Sequence, residues 1–205
     1  MNRLPTLFIA LLVSFAAAWL GLVFGLYREL GGVQPVSDPF TGELQPPPYT
    51  ELELAGRDVY RAEGCIACHT QHVRGGRFNA DIERGWGPRR SHPIDYIHDR
   101  PILMGRSRTG PDLLNIGARE ARRSWHHLHL YDPQITSPGS NMPPYRYLYR
   151  KQRIGDEPDP DALALTGEHA PPPGYEIVPT ERARALVAYL LSLDRTYRIP
   201  GTPRR

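Results

Sequence analysis

The two cysteines of this chain lie three residues apart, in the pentapeptide Cys65–His69 with the sequence CIACH. A Cys-x-x-Cys pair can act as a redox dithiol, supply half of a zinc site, or attach a haem covalently. A thioredoxin-like dithiol needs a βαβ context, and no such pattern is present. A structural zinc site needs a second pair of ligands, and the chain has no further cysteine to complete one.

Covalent attachment of haem accounts for the whole pentapeptide. Two thiols bind one porphyrin, and the histidine that follows directly is carried under the ring, where it can ligate the iron. We therefore predict that Cys65 and Cys68 attach one haem c and that His69 is an axial ligand of its iron.

The second axial ligand has to come from another part of the chain. Met142 lies in the segment 140–145, SNMPPY, where two prolines stiffen the backbone. Histidine and methionine together are the ligands with which cytochromes c raise their potential. We favour Met142, while ligation by His126, His127 or His129 stays open as the alternative. Iron that is ligated on both faces has no position for a substrate, which predicts electron transfer and not oxygen activation.

Residues near Gly110 form a second set of candidates. The carbonyl of Pro111 can accept a hydrogen bond from the distal nitrogen of His69, which would fix the imidazole and make it more basic. Arg108 and Arg106 are candidates to pair with the haem propionates, because a guanidinium matches the geometry of a carboxylate. Met104 has apolar neighbours, and we expect it to pack in the interior.

The first long segment of the chain, from Leu4 to Tyr27, carries no charge. As a helix it would be about 36 Å long, slightly more than the hydrocarbon core of a bilayer, which is about 30 Å thick. The apolar cores of signal peptides are shorter, about 7–15 residues. We predict an uncleaved transmembrane anchor over residues 1–30. Because bacteria attach haem c on the outer face of the inner membrane, we expect the haem domain on the periplasmic side of that lipid bilayer.

The composition divides the rest of the chain. Residues 31–49 are rich in proline and glycine and predict an extended spacer, and residues 50–197 predict a mono-haem domain. Within this domain, residues 70–110 have no clean periodicity and predict a long insertion, and residues 151–179 predict a proline-rich surface excursion. The formal net charge is +3, and arginines alternate with acidic residues, so a partnership with nucleic acid is not expected.

Helical periodicity is clear at two places in the predicted domain. One helix begins after Thr50, a candidate cap, and leads into the cysteine motif, with Leu52, Gly56 and Val59 on its apolar face. The other extends from about Glu181 to Leu193 on an apolar stripe. No strand pattern is convincing anywhere in the sequence.

Four segments, taken in order, resemble the mono-haem, membrane-anchored subunit II of cbb3-type cytochrome c oxidases. They are PYTELELAGRDVYRAEGCIACHTQHVR (48–74), RTGPDLLNIG (108–117), WHHLHLYDP (125–133) and SNMPPYRYL (140–148). The resemblance implies a mainly α, class I cytochrome c-like domain with long loops behind a single N-terminal transmembrane helix. It also implies that Cys65 and Cys68 attach haem and that His69 and Met142 ligate it. Two features depart from the family: His72 stands where methionine is common, and residues 151–179 differ from the usual continuation.

The resemblance also implies partners. These are a membrane-embedded haem–copper catalytic subunit and a di-haem cytochrome c subunit or another c-type cytochrome as electron donor. The chain is then an electron-transfer subunit that is not catalytic by itself. The alternatives are the small cytochrome c subunit of a nitric oxide reductase and a free-standing membrane-anchored carrier. A cytochrome peroxidase is disfavoured, because it normally needs a second Cys-x-x-Cys-His.

Overall fold

The computed structural model describes residues 3–76 and 79–201. The described chain is mostly helical and divides into two compact units. One unit contains the N-terminal residues up to Pro46 together with residues 92–97, and the other contains the remainder. The two units are described separately below.

The first unit begins with a continuous apolar helix. It consists of α1 (Leu4–Trp19), a π-helical turn (Leu20–Phe24) and α2 (Gly25–Leu30). The helix has 27 residues, and its most apolar window has a mean hydropathy of 2.5 with no residue buried. It is therefore long and apolar enough to cross a membrane, as the uncharged segment predicts.

A short hairpin follows this helix. Strand β1 (Val36–Ser37) pairs in antiparallel fashion with β2 (Leu44–Gln45). The side chain of Asp38 accepts hydrogen bonds from the backbone N–H groups of Phe40 (2.8 Å) and Thr41 (3.0 Å), which holds the connection. The spacer is thus not extended throughout, and the expectation that the chain has no strands is wrong here. A two-residue strand is too short to produce a sequence alternation.

The second unit is organised around helix α3 (Glu51–Ala62). Thr50 caps this helix, because its hydroxyl accepts from the N–H of Glu53 at 3.3 Å and the Glu53 carboxylate accepts from the N–H of Thr50 at 2.7 Å. The predicted cap is confirmed. Leu52, which we placed on the apolar face, is 49% exposed, and Arg57 is buried.

Helix α7 (Glu181–Ser192) packs across α3 at a glycine. A Cβ atom on Gly56 would lie 1.9 Å from the carbonyl oxygen of Ala185, so only glycine permits this approach of the two backbones. The predicted apolar stripe of α7 is buried in the core. Its members are Ala183, Leu186, Val187, Leu190 and Leu193.

Three short helices cover another side of the core. They are α4 (Ile116–Arg119), α5 (Arg123–Tyr131) and α6 (Pro133–Thr136). Gly117 in α4 approaches α7 as closely as Gly56 does, because its Cβ would lie 2.0 Å from the carbonyl oxygen of Leu191. These close approaches pack both α3 and α4 against α7.

Residues 151–179 are not a simple surface excursion. Strand β3 (Tyr149–Arg153) pairs with β4 (Tyr175–Pro179) in antiparallel register, with Lys151 opposite Ile177. The connection between the strands folds back on the hairpin, since the N–H of Leu163 donates to the carbonyl of Ile177 at 2.8 Å. The expected absence of strands is therefore wrong here also. The five residues of β3, YRKQR, lack the apolar alternation by which a strand is predicted.

Residues 70–110 contain little regular structure, as the sequence predicts. In the described part of this segment, which leaves out residues 77 and 78, the one helical element is a 3-10 turn at Pro93–Tyr96.

Candidate functional site

The second unit contains a cavity of about 690 Å³. This volume lies within the range of about 300–1,000 Å³ that cofactor pockets occupy. Residues of α3, α5 and α7 line its walls, among them Leu130, Leu186 and Leu190. Five of the six residues that we predicted to bind a cofactor also line it: Cys65, Cys68, His69, Pro111 and Met142.

The cysteine motif enters the cavity directly after α3 ends. Gly64 adopts a left-handed conformation, with φ of 72°, and so turns the chain out of the helix. The carbonyl of Cys65 then accepts from the N–H groups of Cys68 (3.2 Å) and His69 (3.0 Å). This single turn holds both thiols and the imidazole within five residues. Cys68 is exposed and Cys65 is half-buried.

The imidazole of His69 is held from two sides. Its Nδ1 lies 2.8 Å from the carbonyl oxygen of Pro111, and because a carbonyl can only accept, Nδ1 carries the proton. The ring lies against Gly110, where a Cβ atom would be 2.3 Å from Cε1. Burial lowers the pKa of His69, although its hydrogen bond to Pro111 acts in the opposite direction. The neutral ring therefore keeps Nε2 as a nitrogen that can ligate a metal.

The Cys65 thiol does not have the character of a reactive redox thiol. Burial raises the pKa of Cys65 to about 12. Reactive thiols in Cys-x-x-Cys redox motifs have pKa values of roughly 3.5–7.5. Over residues 3–76 and 79–201, no three His, Cys, Asp or Glu side chains cluster as ligands for a bare metal ion.

Met142 comes to the cavity from a loop between α6 and β3. It is half-buried and packs against the core cluster. Its N–H donates to the hydroxyl of Ser140 at 3.2 Å. At the end of this loop, the N–H of Tyr145 donates to the carbonyl of Leu130 at 2.8 Å, which attaches the loop to α5.

The three histidines of α5 differ in their positions. His126 and His129 line the cavity, and His127 does not. His126 Nε2 lies 2.7 Å from the carbonyl oxygen of Glu120, so this nitrogen is already hydrogen-bonded. Burial lowers the pKa of His129 to about 4. Its ring stacks on Trp125, with centroids 4.7 Å apart, and its Nδ1 is hydrogen-bonded to the hydroxyl of Thr136.

The structure does not bring Arg108 to the cavity. Its Nη1 lies 2.6 Å from the carboxylate of Asp81, and its Nε donates to the hydroxyl of Thr70 at 3.0 Å. The expectation that Arg108 binds propionates is therefore corrected, since its guanidinium is used in a buried ion pair. Arg106 is also outside the lining. Met104, which we expected in the interior, is 42% exposed and does not line the cavity.

Among the lining side chains that the sequence did not indicate are Arg119, Trp125 and Tyr145. Burial lowers the pKa of Arg119, and the charge of Asp112 acts in the opposite direction. The segment AREARR, which follows NIG, signals a basic surface next to the predicted haem. It does not indicate which arginine faces inward.

A comparison with known protein families shows to which family the chain belongs. The model of the family described as cytochrome c oxidase, mono-heme subunit/FixO matches residues 42–166. The chain belongs to the FixO family. The predicted resemblance to subunit II of cbb3-type oxidases is thereby confirmed. No curated protein matches the sequence.

The FixO match covers the cysteine motif, Pro111 and Met142, and it ends between β3 and β4. Helix α7, which supplies Leu186 and Leu190 to the cavity, lies beyond the matched residues. FixO proteins are the mono-haem cytochrome c subunits of a membrane oxidase complex, so the chain has a membrane catalytic subunit as partner. The apolar helix fits a single-pass anchor for such a subunit.

Proposed function

We propose that this chain passes electrons, one at a time, through a single covalently bound haem c. The donor is another c-type haem, in a di-haem cytochrome c subunit or a separate cytochrome. The acceptor is haem b of the haem–copper catalytic subunit, which reduces oxygen to water. The observation that carries the proposal is the arrangement in one cavity of two thiols, a neutral imidazole with a fixed tautomer, and a thioether.

The residues of the cavity fit a haem c. Cys65 and Cys68 would attach the porphyrin, and His69 Nε2 would ligate the iron because Nδ1 is held by Pro111. The absence of a Cβ on Gly110 leaves the space that the imidazole occupies. Met142 is the proposed second ligand. Of the two histidines that line the cavity, His129 is the alternative, because Nε2 of His126 is already hydrogen-bonded to Glu120. When bound, haem c supplies one-electron chemistry between Fe(III) and Fe(II).

Arg119 is the proposed partner of a propionate in place of Arg108. It lines the cavity, and its guanidinium donates to the backbone carbonyl of Asp112. A propionate would supply a negative charge to a guanidinium that is partly withdrawn from water. The apolar walls contributed by Leu186 and Leu190 would exclude water from the porphyrin faces.

The crossing of α3 and α7 supports a class I cytochrome c-like fold, in which N- and C-terminal helices cross beside the haem. We propose that residues 1–30 anchor the chain in the bacterial inner membrane and that the haem domain, residues 50–197, faces the periplasm. Residues 31–49 connect the two. Long sections of the domain, 70–110 and 151–179, are then candidates for contact with other subunits.

Two tests examine this proposal. The full-length chain, produced in a bacterium that attaches haem c, should keep its haem after denaturation in detergent. Replacement of either cysteine by alanine should weaken or remove that haem, and a denatured wild-type chain without haem would contradict the proposal. His69→Ala should abolish the normal low-spin spectrum of the iron.

The role in an oxidase needs a separate measurement. Purified from membranes, the chain should be accompanied by a haem–copper subunit, and the complex should consume oxygen with a reduced c-type cytochrome as donor. A complex that reduces nitric oxide but not oxygen would favour the nitric oxide reductase alternative. A chain that purifies alone and supports no oxygen consumption would favour the free-standing carrier.

A further inference from the structure

Asp112 is a buried carboxylate directly beside the contact that fixes His69. Its side chain has no exposed surface, and it follows Pro111, whose carbonyl accepts the hydrogen bond from His69 Nδ1 at 2.8 Å. An ionised carboxylate is costly to bury unless hydrogen bonds compensate for the lost water. The position of Asp112 therefore requires an explanation from its surroundings.

The carboxylate connects the Pro111 turn to the residues that follow His69. Its Oδ2 accepts from the hydroxyl of Thr70 and from the backbone N–H of His72, both at 2.6 Å. Its Oδ1 accepts from the N–H of Leu114 at 2.9 Å. These three donors hold the turn and the cysteine motif in a fixed relation, with the His69–Pro111 contact between them.

Cations only partly neutralise Asp112. The guanidinium of Arg108 lies 3.9 Å from its Oδ2 but makes its shorter contact, 2.6 Å, with Asp81. Arg119 donates to the backbone carbonyl of Asp112 and not to its carboxylate. The hydrogen bonds to Asp112 come instead from neutral donors, and a negative charge stays close to His69.

We propose that Asp112 is a positioning residue for His69 and that its buried charge lowers the reduction potential of the haem. The inference rests on the proposed function, because it concerns a haem ligated by His69. Reduction adds one electron from the donor haem and takes up no proton, so the oxidised iron carries one more positive charge. A nearby buried anion stabilises that oxidised state. The fixed Pro111 carbonyl makes the imidazole more basic, which acts in the same direction.

The test is a spectroelectrochemical titration of the full-length, haem-loaded protein and its variants. In Asp112→Asn, the midpoint potential should rise by about 59 mV. For a one-electron reduction, this shift corresponds to a tenfold change in the equilibrium constant. Asp99→Asn is the matched control. Asp99 is also a buried acid, but it bonds to Arg57 (3.2 Å) and Tyr49 (3.2 Å) and not to the segments that hold His69. Its substitution should leave the potential unchanged.

Arg108→Gln should shift the potential in the opposite direction. This variant also tests the inference if the Asp112→Asn protein does not accumulate in cells. It removes the cation that lies 3.9 Å from the Asp112 carboxylate and leaves Asp112 in place, so the potential should fall. Two variants whose potentials shift in the same direction, or do not shift although haem is normally bound, would overturn the inference. A wild-type protein without a ligated haem would instead contradict the proposed function, so the two failures are distinguishable.

Discussion

The two faces of the cavity are built in different ways. On the His69 side, backbone hydrogen bonds attach the cysteine motif to a neighbouring segment. The N–H of Gly110 donates to the carbonyl of Cys68 (2.9 Å), and the N–H of Leu113 donates to the carbonyl of Thr70 (2.8 Å). Buried carboxylates accept hydrogen bonds from the residues that follow His69. The Met142 side is a half-exposed loop that is attached to α5 through the hydrogen bond from the N–H of Tyr145 to the carbonyl of Leu130.

This difference has a physical consequence. A ligand that is held by backbone packing cannot adjust to a substitution, because its neighbours have no space to move. A ligand on a loop can be lost or exchanged while the rest of the domain keeps its structure. We therefore expect changes on the His69 side to affect the fold and the haem together, and changes on the Met142 side to affect mainly the iron.

The largest effect should come from Gly110→Ala. The added Cβ would lie 2.3 Å from the His69 ring, so the imidazole must leave its position. We expect the low-spin spectrum to be lost and the free energy of unfolding to fall by about 3 kcal/mol, the upper part of the usual range for overpacking. Gly155→Ala is the control, because its nearest neighbour would be 3.9 Å away. An unchanged spectrum in Gly110→Ala would show that the imidazole is not confined.

Met142→Ala should have a smaller and more selective effect. The haem should stay covalently bound, but the sulfur–iron absorption band in the red should disappear. The midpoint potential should fall by more than about 59 mV, which is the shift that a tenfold change in the equilibrium constant of a one-electron reduction produces. His129→Ala tests the alternative ligand and should leave the band intact. If the band persists in Met142→Ala, Met142 is not the second ligand.

The stability of the fold should depend on pH through a buried carboxylate on the His69 side, that of Asp81. Burial alone would raise the pKa of Asp81, but hydrogen bonds from Arg74 and Arg108 lower it to about 2. In the unfolded chain the value is about 3.9. The ionised carboxylate therefore stabilises the fold above about pH 4, and this contribution is lost as the pH falls towards 2.

Thermal unfolding of the detergent-solubilised chain over this pH range checks the prediction. Asp81→Asn should be less stable than the wild type near neutral pH and should lose less stability on acidification. Asp161→Asn, in the exposed ion pair with Arg184 at 2.9 Å, is the control and should keep the wild-type pH dependence. Parallel profiles for Asp81→Asn and the wild type would exclude Asp81 as the source.

The smallest effect should come from Gln134→Ala on the Met142 side. The Gln134 side chain accepts from the N–H of Gly139 at 2.8 Å and donates to the carbonyl of Ser140. Its loss should cost about 1 kcal/mol of loop stability. The sulfur–iron band should then disappear at a lower temperature than in the wild type. Gln152→Ala, in β3, removes a similar bond to Glu176 (2.9 Å) and should leave this temperature unchanged; a parallel decrease would refute a local effect.

The sequence by itself determined the parts of this protein that depend on local chemistry. The uncharged run predicts the apolar helix, and Thr50 predicts the start of α3, because a cap depends on residues that are close in the sequence. The cysteine pentapeptide predicts haem attachment because its thiols and imidazole lie on one turn. The order of the motifs was enough to indicate the FixO family.

Only the tertiary structure decided which distant side chains meet. Arg108 is separated from Asp81 by 27 positions, and nothing in the local sequence distinguishes it from Arg119, which lines the cavity. The sequence did not predict strands β3 and β4. Their hydrogen bonding to each other, and not their composition, holds them in the extended conformation. Asp112 is one more acid in the sequence; its burial beside the His69–Pro111 contact exists only after the chain has folded.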